Sequence, residues 1–274
     1  MPELPEVQTV TAELDARLPG RVIAGVEALW ERTIGHPAPA EFAAALPGHR
    51  IESVGRRAKY VMIALSGSDL LVAHLRMTGR ITIEPAATPR DPYTRLVLRL
   101  DGDDELRFAD TRKFGRFYYV PAGESMPLPS FAELGPEPLA EDFTPALLAT
   151  RIAARKGAIK AALLDQRLVA GLGNIYVDEA LFRARIHPRR TLQSLTPDEI
   201  ERLHEAIVHV LRRAIGSGGT SFSDYRTTWG QLGSYQEELS VFRKTGAPCP
   251  RCGAPIERAV VAGRGTHYCP HCQK

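Results

Sequence analysis

The chain of 274 residues is 44% apolar and nearly charge-balanced, with 35 Lys and Arg against 32 Asp and Glu. One large domain or two ordinary ones are expected, and the apolar fraction excludes disorder as the default state. No stretch approaches 18 uncharged apolar residues, so no membrane-spanning helix is expected. The N-terminus has neither the basic start nor the long apolar run of a signal peptide. The balance conceals an asymmetry: residues 1–150 hold 16 basic against 21 acidic side chains, whereas residues 151–274 hold 19 against 11. An anionic partner gripped mainly by the C-terminal half is the expected consequence.

The chain opens Met1-Pro2-Glu3-Leu4-Pro5-Glu6. Two prolines with two carboxylates suit the first turn of a helix, the acids lying at its positive end. A second reading is chemical. If Met1 is removed, Pro2 becomes a secondary α-amine, and an amine with a reference pKa of about 7.7–8.0 is roughly one-tenth neutral, hence nucleophilic, at pH 7. Val7, Val10, Leu14 and Leu18 then recur at helical spacing up to Pro19-Gly20,.

From residue 21 to 120 the period changes. Ile51–Leu65, Leu70–Leu75, Leu96–Leu100, Leu106–Phe108 and Phe117–Val120 read as strands broken by turns, with Asp101-Gly102-Asp103-Asp104 as a hairpin signal,. Strands without intervening helices favour a sandwich or barrel. Residues 121–145 carry six prolines and little periodicity, which reads as a linker,. Beyond it Leu147–Ile159, Ala161–Leu164 and Ile175–Arg183 read as helical. Thr196-Pro197-Asp198-Glu199 is a capping box opening a helix whose face is Ile200, Leu203, Ile207, Val210, Leu211 and Ile215, ended by Gly216,. Gly216-Ser217-Gly218-Gly219-Thr220-Ser221 reads as a mobile loop.

All four cysteines lie in the last 26 residues, as Cys249-x2-Cys252 and Cys269-x2-Cys272. Two such pairs suit one tetrahedral Zn²⁺ with no open coordination position, so the metal is structural and the compartment reducing. The hairpin so held would present Arg258, Arg264 and His267. Gly171-Leu172-Gly173-Asn174 opens a helix, where free amides suit a phosphate,; a tight helix–helix turn reads the same way. Basic residues beside apolar ones recur at Arg56-Arg57-Ala58-Lys59-Tyr60, His74-Leu75-Arg76-Met77 and Arg112-Lys113-Phe114-Gly115-Arg116. Met77 or Phe114 flanked by arginines suits a wedge that unstacks a duplex; Met77 also suits a core.

Taken in order, Pro2-Glu3-Leu4-Pro5-Glu6-Val7, Arg57-Ala58-Lys59-Tyr60, His74-Leu75-Arg76-Met77, Arg112-Lys113-Phe114-Gly115, Gly171-Leu172-Gly173-Asn174-Ile175-Tyr176, Gly218-Gly219-Thr220-Ser221 and the terminal cysteines resemble bacterial formamidopyrimidine-DNA glycosylases from end to end. The resemblance implies an α+β fold: an N-terminal β-sandwich flanked by helices over 1–130, a linker over 131–146, a helix–two-turns–helix domain over 147–240 and a C4 zinc finger over 241–274. It implies a monomeric cytoplasmic, nucleoid-associated enzyme that excises oxidised purines from duplex DNA and then cuts the strand. The damaged nucleotide is flipped into a cleft, with Pro2 as the Schiff-base nucleophile and Glu3 as the acid. Glu6 positions water or the amine, Lys59 serves β-elimination and Arg264 δ-elimination. Met77, Arg112 and Phe114 fill the vacated stack, Arg112 facing the orphaned cytosine. His74, Arg155, Lys160 and Asn174 hold phosphates, and residues 217–226 cover the base.

Two positions depart from the family pattern. A His-x-His pair is replaced by Pro92-Tyr93-Thr94, which leaves Tyr93 as the substitute DNA contact, and a Tyr near the finger is replaced by Phe242. An endonuclease VIII-like enzyme for oxidised pyrimidines and a non-cutting zinc-finger lesion binder are the alternative readings.

Overall fold

The computed structural model describes residues 2–222 and 225–274. The chain divides into two compact units, Met1–Ala132 with Gly218–Ser234, and Glu133–Ser217 with Tyr235–Lys274. A return segment of the chain after residue 217 therefore belongs with the N-terminal unit.

The first unit begins with helix α1 (Leu4–Asp15), whose Val7, Val10 and Leu14 are buried on one face. Strands β1 (Ile23–Ala28) and β2 (Ile34–His36) and helix α2 (Pro39–Ala45) follow. Then come β3 (Ile51–Arg57), β4 (Tyr60–Leu65), β5 (Leu70–His74), β6 (Arg80–Pro85), β7 (Thr94–Leu100), β8 (Asp104–Ala109), β9 (Arg116–Val120) and the short helix α3 (Pro129–Ala132). They form a four-stranded sheet, β1-β7-β8-β6, and a five-stranded sheet, β2-β9-β5-β4-β3, antiparallel except where β2 meets β9. Inward residues of both sheets and of α1 make one apolar cluster, with Phe108 of β8 and Phe117 of β9 edge to face at 5.0 Å. This is the expected sandwich with flanking helices. The stretch 51–65, expected as one strand, is two, because the chain reverses at Ala58-Lys59 with Ala58 in the left-handed region (φ 53°). β1, β2, β6 and α2 add to the elements expected from sequence.

The second unit holds α4 (Pro145–Ala153), α5 (Ile159–Leu164), α6 (Asn174–Ala184), α7 (Pro197–Gly216) and the hairpin β10 (Glu257–Val261) and β11 (Arg264–Tyr268). The helical run expected over 147–159 ends at Ala153, and Gly157 (φ 103°) lies in the connection before the next helix begins at Ile159. α7 starts as its sequence dictates: Thr196 and Glu199 form the reciprocal capping box. Among the described residues no helix is long and apolar enough to cross a membrane.

Candidate active site and nucleic-acid interface

Pro2 is buried, and Glu3 and Glu6, 3% and 1% exposed, are the N-cap and N3 residues of α1, joined in a reciprocal capping box. Leu4, Pro5 and Val7 are buried beside them, so the helix start is an interior feature. Glu6 does more than cap. Its Oε2 accepts the Glu3 N–H at 2.8 Å, and its Oε1 accepts the Thr220 N–H at 2.7 Å. The Tyr225 hydroxyl donates to the Glu6 and Gly218 carbonyls. Gly219 (φ 82°) lies so close that a Cβ there would sit 2.9 Å from the Glu6 side chain. Far from being loose, Gly218–Ser221 is clamped onto the residues beside Pro2, with Thr220 and Ser221 buried. Burial, then the Glu6 charge, drives the Tyr225 hydroxyl well above the usual tyrosine range.

Lys59 is buried in the turn between β3 and β4, which is tied to α1: Arg56 donates to Gln8 Oε1 at 3.0 Å and to the Ala58 carbonyl at 2.8 Å. His74, at the end of β5, is buried edge-on to Tyr60. Burial, helped by the Arg76 and Lys59 charges, lowers its pKa to about 3. Nδ1 accepts the Arg76 N–H at 3.0 Å, so the one ring proton sits on Nε2. A neutral His74 offers one donor to a phosphate, not a charge.

Met77, Arg112 and Phe114, expected from sequence to form a wedge, are exposed, and the Arg112 guanidinium lies 5.1 Å over the Phe114 ring. Their neighbours Arg76 (φ 56°) and Lys113 (φ 60°) hold left-handed backbone, as Ala58 does beside Lys59. Such conformations persist only where the surroundings impose them. Tyr93 is exposed as well, with Arg95 5.7 Å over its ring.

In the second unit Asn174 opens α6 and donates from Nδ2 to the Gly265 carbonyl at 2.9 Å, its Oδ1 being buried without a hydrogen-bond partner. That bond fastens α6 to the hairpin beside Arg264. Arg264 is exposed and flanks a two-residue turn, Ala262-Gly263, both at positive φ as a type I′ turn requires,. Two expectations are corrected here. Lys160 is 0% exposed, its Nζ 2.6 Å from Asp178 Oδ1, so it neutralises a buried carboxylate rather than holding a phosphate. His267 is buried, with its N–H on the other Asp178 oxygen at 2.9 Å, so the hairpin does not present it. Arg155 pairs with Asp165 at 2.5 Å, a carboxylate that Arg167 also holds. The four cysteine sulfurs lie within 4.8 Å of one another, with Cys249–Cys272 at 3.9 Å and Cys252–Cys269 at 3.5 Å. Zn–S bonds of about 2.3 Å in a tetrahedron put sulfurs roughly 3.8 Å apart. The residues fit the ion.

A family model described as the formamidopyrimidine-DNA glycosylase N-terminal domain matches residues 1–117, and one described as its H2TH domain matches residues 134–226. The curated formamidopyrimidine-DNA glycosylase of Symbiobacterium thermophilum is 54% identical over 274 residues, covering 100% of this chain and 89% of its own. That of Geobacillus kaustophilus is 46% identical, with 100% of both chains covered. The chain belongs to the formamidopyrimidine-DNA glycosylase family. Solved structures agree: the complex of Lactococcus lactis Fpg with DNA containing an abasic site superposes with a TM-score of 0.93 at 40% identity, covering 99% of each chain. A second complex of that enzyme, with Fapy-dG DNA, gives 0.91 at 39% identity, covering 99% of this chain and 100% of that one. Residues 246–274 match a zinc finger found in FPG and IleRS, and with the sulfur geometry this identifies one structural Zn²⁺ in a formamidopyrimidine-DNA glycosylase finger.

Sequence reasoning named Glu6 but not its bond to Thr220, and missed two further buried carboxylates that hold the fold together, Asp178 on Lys160 and His267, and Glu179. Glu179 accepts the N–H groups of Ser240, Val241 and Phe242 at 2.8–2.9 Å, fixing the approach to the finger. Burial pushes its carboxyl up against the pull of those amides. The one available signal was an acid amid apolar neighbours, Tyr176-Val177-Asp178-Glu179-Ala180-Leu181.

Proposed function

We propose that the protein is a bifunctional DNA glycosylase and abasic-site lyase for oxidised purines, 8-oxoguanine and formamidopyrimidines, in duplex DNA. The observation that carries this is the buried helix start where Pro2 is followed by the interlocked Glu3 and Glu6. The Pro2 nitrogen adds to C1′ as the bond from C1′ to the base breaks, and Glu3 supplies the proton that opens the sugar. The resulting iminium on a secondary amine is permanently cationic and acts as an electron sink. Lys59 then takes part in loss of the 3′ phosphate and Arg264 in loss of the 5′ phosphate, leaving a one-nucleotide gap with a phosphate at each end. Glu6 acts by position, since two backbone amides occupy its carboxylate.

Met77, Arg112 and Phe114 fill the space of the flipped nucleotide, with Arg112 toward the orphaned cytosine. His74 and Asn174 supply phosphate donors, and Tyr93 supplies stacking where the family carries histidines. Residues 217–226 cover the base; Ser223 and Asp224 of that segment lie outside the described residues. Excision from an 8-oxoguanine:cytosine duplex, compared with a thymine-glycol duplex under single-turnover conditions, tests the substrate class. The proposal expects a clear preference for 8-oxoguanine, and a preference for thymine glycol would refute it.

A further inference from the structure

The wedge is built on two separate arms of the first unit, residues 76–79 after β5 and residues 110–115 between β8 and β9. Each arm passes through a left-handed non-glycine residue beside its wedge side chain, Arg76 at 56° and Lys113 at 60°. Neither arm is a regular helix or strand, although the Gly79 N–H closes the first on the Leu75 carbonyl at 3.0 Å. Both rest on the buried ring of Phe108: a Cβ added at Gly79 would lie 2.7 Å from that ring, and one at Gly115 would lie 2.2 Å from it. Glycine is needed at Gly115 because its backbone touches that ring, and at Gly79 because a Cβ would meet the Leu75 carbonyl at 2.4 Å as well as the ring. Paired strands anchor both arms at their ends, His74 opposite Arg116 and Arg80 opposite Ala109, but the residues between those anchors are not themselves part of either sheet.

The polar contacts supply the register. Asp110, 1% exposed, sits directly after β8, where its N–H donates to the Tyr93 carbonyl at 2.9 Å. Its Oδ2 accepts the Gly115 N–H at 2.7 Å, and its Oδ1 accepts the Arg112 N–H at 3.1 Å. Those bonds shape the arm of Arg112 and Phe114 alone. The hydroxyl of Thr78, on the other arm, donates to Asp110 Oδ1 and accepts the Arg112 N–H at 3.2 Å. Thr78 is thus the side chain next to Met77 that bonds directly to the backbone carrying Arg112.

We infer that Thr78 is a positioning residue that locks the two arms into one rigid wedge, and that discrimination for cytosine opposite the lesion depends on its hydroxyl. This deepens the functional reading above and rests on it. Reading a cytosine edge needs the Arg112 guanidinium held within a fraction of an ångström of its hydrogen-bonding position. Met77 sets where the step is opened, so the two must keep a fixed spacing. Without the hydroxyl, Asp110 still shapes its own arm and the strands still hold the ends of both, but the direct tie between the residues beside Met77 and the backbone of Arg112 is lost.

The test uses the full-length protein and Thr78→Val, with Thr78→Ser restoring the hydroxyl and Thr78→Ala as a second variant lacking it. Single-turnover excision of 8-oxoguanine is measured opposite cytosine and opposite adenine, together with borohydride trapping on a preformed abasic site and thermal unfolding. Losing one hydrogen bond that orients a discriminating group changes a ratio by about tenfold. The cytosine-over-adenine ratio should fall by about that factor in Thr78→Val and Thr78→Ala, be kept in Thr78→Ser, and leave trapping near wild type, while the lost bond to buried Asp110 lowers the melting temperature of both variants that lack the hydroxyl,. A ratio unchanged in Thr78→Val and Thr78→Ala would overturn the inference. So would an equal loss opposite cytosine and opposite adenine, which marks a purely structural role, or a wild-type protein indifferent to the opposite base. Absence of trapping and excision by the wild type would instead refute the functional reading.

Discussion

Replacing Glu6 by Gln tests the clamp between the helix start and the return segment. The side chain is 1% exposed, with one oxygen on the Glu3 N–H and the other on the Thr220 N–H. Glutamine keeps one acceptor oxygen and turns an NH₂ toward the second amide, so a buried donor loses its partner and meets another donor. Losing a hydrogen bond to a charged acceptor costs about 1.5–3 kcal/mol, and stranding the donor about 1–3 more. Gly219, at φ 82° and in contact with the same carboxylate, leaves the segment little room to turn away, so about 3–5 kcal/mol is expected. At about 2–4 °C per kcal/mol for units of this size, the melting temperature should fall by about 10 °C. Calorimetry gives that number, and hydrogen exchange at the Thr220 amide localises it. Trapping through Pro2 should weaken in parallel, because the same carboxylate holds the residues beside it. A wild-type melting temperature with a still protected Thr220 amide would refute the reasoning.

Lys160→Met should destabilise by about 3–5 kcal/mol, since it strands a fully buried Asp178,; adding Asp178→Leu should recover much of the loss, and the salt slope of DNA binding should not change, which a salt titration of affinity checks. His74 should make stability fall in acid: below pH 6.5 the unfolded chain takes up its proton while the folded imidazole stays neutral down to about pH 3. The slope attributable to it is about 1.4 kcal/mol per pH unit in that window and vanishes above it, so in urea unfolding the gap between wild type and His74→Gln should be constant above pH 6.5, set by the lost contacts, and close at that slope as the pH drops below it. Removing zinc with a strong chelator should release one ion per chain and weaken amide protection in β10 and β11, because the apolar cluster around the cysteines, with Phe182, Val241, Ala254 and Ile256, is small,. Metal analysis and exchange on the same sample check both halves.

Local chemistry was legible in the sequence. The capping box at Thr196, the two cysteine pairs and the turn at Gly102 each put donor, acceptor or special backbone within a few residues of one another, so spacing alone identified them. The strand reversal at Ala58-Lys59 was hidden because an alanine, not a glycine, takes the left-handed position. Buried charges were the least legible. Lys160 looks like any helical lysine until Asp178 arrives from α6 and His267 from β11. Glu6 looks like a helix-start acid until Thr220, more than two hundred residues away, donates to it. Pattern and propensity report what a segment does alone; the partner of a buried charge is set by tertiary pairing, which they do not carry. The same limit holds around Met77, Arg112 and Phe114: the residues proposed as a wedge could be named, but the Thr78–Asp110 tie beside them could not.

The most direct measurement of the central claim is borohydride trapping on an abasic-site duplex, followed by mass mapping of the linked peptide. Nucleophilic catalysis by a prolyl amine predicts a covalent adduct on the N-terminal peptide, at Pro2 with Met1 removed, and its loss in Pro2→Gly while DNA binding persists. An adduct mapped to a lysine, or no adduct from a protein that still cuts the strand, would contradict it.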